Sequence, residues 1–332
     1  MPAAPPLPTR LLLLLPAILL CLCLTQCATP GTPSRRAAMS MSLAESRWAG
    51  RDGKDMPFTV WKSKTVRAKG VVICIHGLSG AASDFWPVGE SLPAQGFTVY
   101  GMQLRGQGND PDTARRGDIR SGKDWLEDLT DFTTLVKQHH RGLPVYWYGE
   151  SLGALIAIHT AAISDPRLEP AGIILSSPVV RLRNNLQLPF FKNLLVRATL
   201  NLVPGKKISL ERLGNAEVQV TSHTTHREQM HHTPHYVPAF TLRLFAEIEQ
   251  LIHGSDTAAQ RVKVPVLVLY TPHDPLVARE SVEEFFTKLD TPWKRLEFFP
   301  DSYHLILHDD ERPRALKVIS QWLKTRGRGT GG

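Results

Sequence analysis

Pro144-Val145-Tyr146-Trp147-Tyr148-Gly149-Glu150-Ser151-Leu152-Gly153-Ala154-Leu155-Ile156-Ala157-Ile158 decides the fold. Its first half is apolar, aromatic and β-branched, the composition of a buried strand. A helix-forming run starts straight after Ser151, so the serine sits on a strand-to-helix turn. Gly-Glu-Ser-Leu-Gly spans that turn in the G-x-S-x-G spacing of a nucleophile elbow. Such a turn strains the serine backbone, and its neighbours two residues away must lack side chains to avoid a clash. The N–H of Leu152 and the positive end of the helix then face an oxygen that becomes anionic during acyl transfer. Five letters alone are weak, since a chain of this length shows them by chance about one time in ten. The rest of the sequence has to supply a base, an acid and the right strand order.

The strand rhythm does so. Strands are expected at 58–61, 71–75, 97–100 and 172–176, with helices at 83–94 and 125–139 between them. Strands alternating with helices specify a mostly parallel sheet covered on both faces. The rhythm breaks at Pro178, and from 181 to 262 no convincing strand appears. Helices at 190–202 and 240–252 are expected there, so this stretch reads as a helical cap inserted after the sixth strand. The sheet pattern resumes at 264–270, followed by a helix at 282–289, a strand at 296–299 and a helix at 315–324. The domain reading is a core at 43–180 and 263–325, a cap at 181–262, and a disordered tail at 326–332.

Asp274 follows the strand that ends at Tyr270, and His304 follows the last strand by a few residues. Both lie where an α/β sheet places functional side chains, past the carboxyl ends of strands. The order Ser, acid, His suits a neutral imidazole that takes the Ser151 proton and returns it to a leaving group. Asp274 would fix the imidazole tautomer and stabilise the imidazolium. The second oxyanion N–H comes from the His-Gly loop at 76–80, which assigns it to Leu78 beside Leu152. His76 is expected to hold that loop through its ring nitrogens, and Glu150 to form a polar wall of the elbow outside proton transfer.

Other chemistry is excluded or demoted. His223, His226, His231, His232 and His235 invite a metal reading, but Pro234 interrupts a regular helix and no Cys or Asp stands among them. No metal and no cofactor is expected. The net charge of +8 and pI near 9.4 favour anionic surfaces such as acidic lipid headgroups. Basic residues are scattered without interleaved aromatics, so nucleic acid is not an expected partner. Cys74 sits inside a buried-strand pattern and reads as a small core residue.

The N-terminus reads as a targeting segment. Arg10 precedes fourteen apolar residues from Leu11 to Leu24, broken only by Pro16. That length fits a signal-peptide core and falls short of the ~20 residues needed to span a bilayer. Leu24-Thr25-Gln26-Cys27 resembles the lipobox of bacterial lipoproteins, with Gln26 where a small residue is usual. The expectation is a signal peptide at 1–26, lipidation at Cys27 and a flexible tether at 27–42. Ordinary cleavage or an uncleaved anchor competes with lipidation; on either reading the protein is expected outside the cytoplasm, and lipidation anchors it to a membrane surface.

With these residues placed, the chain resembles the α/β-hydrolases of the monoacylglycerol lipase and lysophospholipase branch. The likeness runs from Arg47 to Leu323. It rests on HGLSG (76–80), LRGQGND (104–110), GESLG (149–153), VLVLYTPHDPLV (266–277) and FFPDSYHLILHD (298–309), all in order. Two departures stand out: Gln103 replaces the family's acidic residue, and Ala81-Ala82-Ser83 replaces a Glu-His-Ser continuation. The resemblance implies a serine hydrolase acting on carboxylic esters of lipid-like substrates. Leu188, Phe190 and Phe191, with other cap apolar residues, would line an acyl pocket or form ordinary cap core. A peptidase of the proline-iminopeptidase type, a cofactor-free haloperoxidase-like enzyme and a non-catalytic binding protein share the same core. The peptidase would need cap carboxylates for a substrate amine, with Glu211, Glu217, Glu228, Glu247 and Glu249 available.

Overall fold

Alternation of side chains along each central strand sorts the core into two layers. Strand β4 (Gly70–Ile75) sends Val71, Ile73 and Ile75 to one face and Val72 and Cys74 to the other. Strand β6 (Val145–Glu150) does the same with Val145 and Trp147 against Tyr146 and Tyr148. Both faces are covered, so these strands read as continuous apolar runs. Burying each such side chain contributes about 1.5–3 kcal/mol.

The computed structural model describes residues 37–183, 202–209, 218–233 and 235–326. The expected signal peptide, Cys27, the acyl-pocket residues Leu188, Phe190 and Phe191, nearly all of the helix expected at 190–202, and the tail beyond Arg326 lie outside them. Two short strands, β1 (Ser40–Ser42) and β2 (Arg47–Ala49), precede β3 (Asp55–Trp61). The sheet continues with β5 (Phe97–Met102) and β7 (Gly172–Ser176). Nine strands then form one sheet in the order β1-β2-β3-β5-β4-β6-β7-β12-β13, where β12 is Val266–Tyr270 and β13 is Lys294–Phe298. From β5 to β13 all neighbours pair parallel, and β1, β2 and β3 add an antiparallel edge. The tether expected to run to residue 42 therefore ends earlier, because Ser40 already pairs with Ala49. Two edge strands, β1 and β2, precede those expected, so the insertion follows the seventh strand of the chain.

Helices α2 (Gly122–His139) and α3 (Leu152–Ile163) cover one face. Helices α1 (Trp86–Ser91) and α7 (Arg312–Arg326) cover the other. The single helix expected at 83–94 is broken into a 3-10 turn at Ala82–Phe85, α1, and a 3-10 turn at Pro93–Gln95. Pro93 has no N–H to continue α1, and Gly96 ends the segment at φ 99°.

The insertion is not wholly helical. Strand β8 (Lys207–Ser209) pairs with β11 (Ala239–Thr241), and β9 (Gln219–Thr221) pairs with β10 (Thr224–Thr225). Strands of two or three residues are too short to show a period. Helix α4 (His226–His232) stops before Pro234, so His235 lies off the helix, as the proline requires. Among the described residues no group of three or more His, Cys, Asp or Glu is placed to hold a metal ion. No described helix is long and apolar enough to cross a membrane. Helix α5 (Leu242–Ala259), expected inside the cap, packs on the core. Glu247 accepts from the Gly122 N–H at 2.7 Å, and the His159 ring donates to the Leu251 carbonyl at 2.7 Å. The cap therefore closes near Thr241, before this helix. Helix α6 (Arg279–Lys288) buries Val282 and Phe285 beside β12.

Candidate active site

Ser151 stands between the end of β6 and the start of α3 with φ 56° and ψ −116°. Its N–H donates to the Ser176 carbonyl of the neighbouring strand at 3.0 Å. The flanking glycines are required by their surroundings. A Cβ on Gly149 would lie 2.3 Å from the Gly153 carbonyl oxygen, and one on Gly153 would lie 1.9 Å from that of Ile75. The helix thus crosses so close to β6 and β4 that only hydrogen fits, which leaves the Ser151 side chain at the mouth of the turn.

The His-Gly loop lies against it. A Cβ on Gly77 would be 3.0 Å from the Ser151 Cβ and 3.5 Å from its Oγ. Leu78 and Leu152, the residues with the two expected oxyanion N–H groups, both adjoin this point. As the first residue of α3, Leu152 has an N–H with no intrahelical acceptor. His76 holds the loop as expected: its Nδ1–H donates to the Gly77 carbonyl at 2.8 Å. Its Nε2 accepts from the Leu104 N–H at 3.1 Å and the Gln103 amide at 3.0 Å. Burial depresses this imidazole to about 4, so it stays neutral in that tautomer. Gln103 also accepts from the Ala82 N–H at 3.2 Å, and Gln107 accepts from the Ser79 N–H at 3.0 Å. The amide at 103 is a loop brace.

Asp274 follows β12, and its Oδ1 accepts from the N–H groups of Leu276 at 2.8 Å and Val277 at 3.2 Å. Its Oδ2 accepts from His304 Nδ1–H at 2.8 Å. That bond leaves Nε2 as the unprotonated nitrogen of a neutral ring. Burial works against charge on His304, yet the carboxylates of Asp274 and Glu150 outweigh it and raise the imidazole above its ordinary range. Ser151 and His304 share a cavity of about 470 Å³, with Leu78 beside them and Val220, His226 and Gln229 on the cap side. Acid, base and hydroxyl so arranged can carry out acyl transfer.

A family model described as serine aminopeptidase, S33, matches residues 66–311. The chain belongs to that family. Phospholipase YtpA of Bacillus subtilis is 28% identical over 263 residues, covering 78% of this chain and 96% of the relative. The monoacylglycerol lipase of Mycolicibacterium smegmatis is 22% identical over 289 residues, covering 86% and 98%. Among solved structures, a soluble variant of Saccharomyces cerevisiae monoglyceride lipase in complex with a substrate analogue superposes with TM-score 0.73 at 18% identity. That match covers 90% of this chain and 99% of the yeast one. The α/β-hydrolase fold is thereby established.

In this S33 family member the sequence reading missed the residues that fix His304 and Asp274 in place. Asp309 Oδ2 accepts from the Tyr303 N–H at 2.7 Å, one residue before His304. Its Oδ1 accepts from the Ser222 N–H at 3.0 Å, in the tip of the β9–β10 hairpin. The Leu305 N–H donates to the Val220 carbonyl at 2.9 Å, one residue after the base. One carboxylate therefore straps a cap hairpin to the loop that carries His304. Arg183 does a similar service for the acid, donating to the Asp274 carbonyl at 2.9 Å and the Pro272 carbonyl at 3.3 Å.

Asp309→Ala is expected to lower kcat about ten- to a hundredfold, because the strap sets the imidazole's place and small misplacements are costly. It also leaves three backbone N–H groups, those of Ser222, Tyr303 and Asp310, without that acceptor, a loss of about 1–3 kcal/mol each where water cannot replace them. Asp309→Asn should fall between, since its amide oxygen still serves one side. Steady-state kinetics beside a thermal melt checks this; kcat within twofold of wild type in Asp309→Ala would dismiss the strap as a positioning device.

Proposed function

We propose that the protein is a serine esterase of lipid-like substrates, of monoacylglycerol or lysophospholipid type, working through an acyl-enzyme on Ser151. The observation that carries the reading is the serine on its strained turn, sharing one cavity with an imidazole bonded to Asp274. Ser151 Oγ attacks the ester carbonyl carbon as His304 Nε2 takes its proton. The Leu78 and Leu152 N–H groups receive the oxyanion. Collapse breaks the C–O bond, and His304 returns the proton to the departing alcohol. A water then attacks the acyl-enzyme with His304 as base, and the carboxylic acid leaves.

The family name points to amide bonds, whereas the relatives above are named as lipases and a phospholipase. The cap carboxylates bear on that choice. Glu228 closes a capping box with Thr225, Glu247 holds the start of α2, and Glu249 pairs with His253. None of these three lines the cavity, and Glu211 and Glu217 lie outside the described residues. The described cap carboxylates are thus not placed to hold a substrate amine, which supports ester cleavage over removal of an N-terminal amino acid; the two carboxylates that do line the cavity, Asp84 and Glu150, belong to the core. The purified protein is expected to cleave a monoacylglycerol at least about a hundredfold faster than an amino-acid anilide, read as kcat/KM. The reverse order would replace this reading with the peptidase one.

A further inference from the structure

The cavity beside Ser151 carries two carboxylates that the reaction above does not use. Glu150 is 6% exposed, lines the cavity and has an Oε2 that is buried with no hydrogen-bond partner. A buried carboxylate oxygen left without a donor is costly, so it marks a place where a donor arrives from outside the chain. Asp84 lines the same cavity; burial first, and the nearby Asp84 charge after it, raise Glu150 to about 7, so it is ionised above neutral pH, and burial raises Asp84 as well. One Asp84 oxygen is engaged with the Ala81 N–H at 2.8 Å.

Among the described residues the remaining polar lining offers no balancing cation, and His235 lies within electrostatic reach of Asp84 from outside that lining. Thr221, Thr224, Gln229 and Thr233 are uncharged. Burial lowers His226 and takes His308 down to about 4, with the Arg312 charge adding to the effect at His308. Neither imidazole supplies positive charge at neutral pH. Among the described lining residues there is no Lys or Arg. His304 is the one group that turns cationic during turnover, and that charge already faces Asp274 and Glu150.

Resting on the esterase reading, we propose that Glu150 and Asp84 form a subsite for the leaving alcohol that accepts hydroxyl donors and rejects a phosphate. A free hydroxyl of the alcohol can donate to Glu150 Oε2 and satisfy it. Above neutral pH, where Glu150 is ionised, a phosphate in the same place offers only acceptors and brings a negative charge beside two carboxylates in a water-poor pocket. The substrate class is then a neutral polyol ester, a monoacylglycerol in preference to a lysophospholipid.

Two water-soluble esters with one acyl group, glyceryl monobutyrate and butyryl glycerol phosphate, test this without a membrane. At about pH 8.5, where Glu150 is ionised, wild type is expected to favour the glyceryl ester by about tenfold or more in kcat/KM. Glu150→Gln keeps the shape and removes the charge; Asp84→Asn keeps an oxygen for the Ala81 N–H. Each should shrink the preference at least about threefold. Equal rates on the two esters in wild type, or a preference unchanged in both variants, overturns the subsite. A fluorophosphonate probe and p-nitrophenyl butyrate run alongside separate the two failures. Labelling and turnover without discrimination reject the subsite alone, whereas neither labelling nor turnover rejects the esterase reading.

Discussion

Ser151→Ala abolishes measurable turnover: kcat is expected to fall about 10⁴- to 10⁶-fold, and fluorophosphonate labelling of the protein disappears. The exchange removes one oxygen and little else. Alanine tolerates φ 56° about as poorly as serine does, so the strained turn is neither relieved nor worsened. The N–H at 151 still donates to the Ser176 carbonyl, and no described side-chain hydrogen bond is lost. Thermal stability should therefore stay within about 1 kcal/mol of wild type. The Leu78 and Leu152 N–H groups proposed for the oxyanion remain, as does His304, and they leave a residual rate above the reaction in water through a directly attacking water molecule. Labelling that persists in the variant would show that another residue is the nucleophile, and the acyl-enzyme reading would be withdrawn.

What the chain reveals in one dimension follows from how local each cause is. The elbow is local: Gly149 and Gly153 are needed because a helix recrosses its own strand within five residues. The central strands are legible because burial on both faces demands an unbroken apolar run. Asp274 and His304 are legible because each lies directly past a strand end, where the sheet itself carries side chains to one rim. The cap is different. Its strands pair Lys207–Ser209 with Ala239–Thr241, three residues against three across a long gap, and so short a ladder carries no period. Helix α5 shows the right period but cannot announce which body it packs on; Glu247 and its contact with Gly122 decide that. The Asp309 strap reaches Ser222 across 87 positions, and neither residue stands in a pattern that calls for the other. Glu150 is an intermediate case. It was visible as a polar wall of the elbow, yet the lack of a partner for its Oε2 appears only when every neighbour is in place.

Asp274→Asn should cost about as much as losing the base altogether, a fall in kcat of about 10⁴-fold, for a reason visible in the hydrogen bonds. In the native chain Oδ2 accepts the Nδ1 proton, which leaves the lone pair on Nε2, in a ring that shares the cavity with Ser151. The loop holds the other carboxylate oxygen by two N–H groups, from Leu276 and Val277. In the asparagine variant the side-chain oxygen keeps those two donors, and the NH₂ group takes the position facing His304. That NH₂ can only donate, so Nδ1 must accept and the ring proton moves to Nε2. The base then faces Ser151 with its proton already on. The pH profile separates this from simple damage. The imidazole must be neutral to act, so activity is lost as pH falls through its folded pKa. With Asp274 present, that value is raised above the ordinary imidazole range despite burial. Without the charge at 274, burial gains the upper hand and the acid limb of the residual activity moves to lower pH. The wild-type to variant ratio should accordingly be largest near pH 8 and shrink toward about pH 5.5, where the wild-type imidazole is already protonated. Profiles of kcat between those limits test both parts, and an acid limb that stays put in the variant would remove Asp274 from the site's electrostatics.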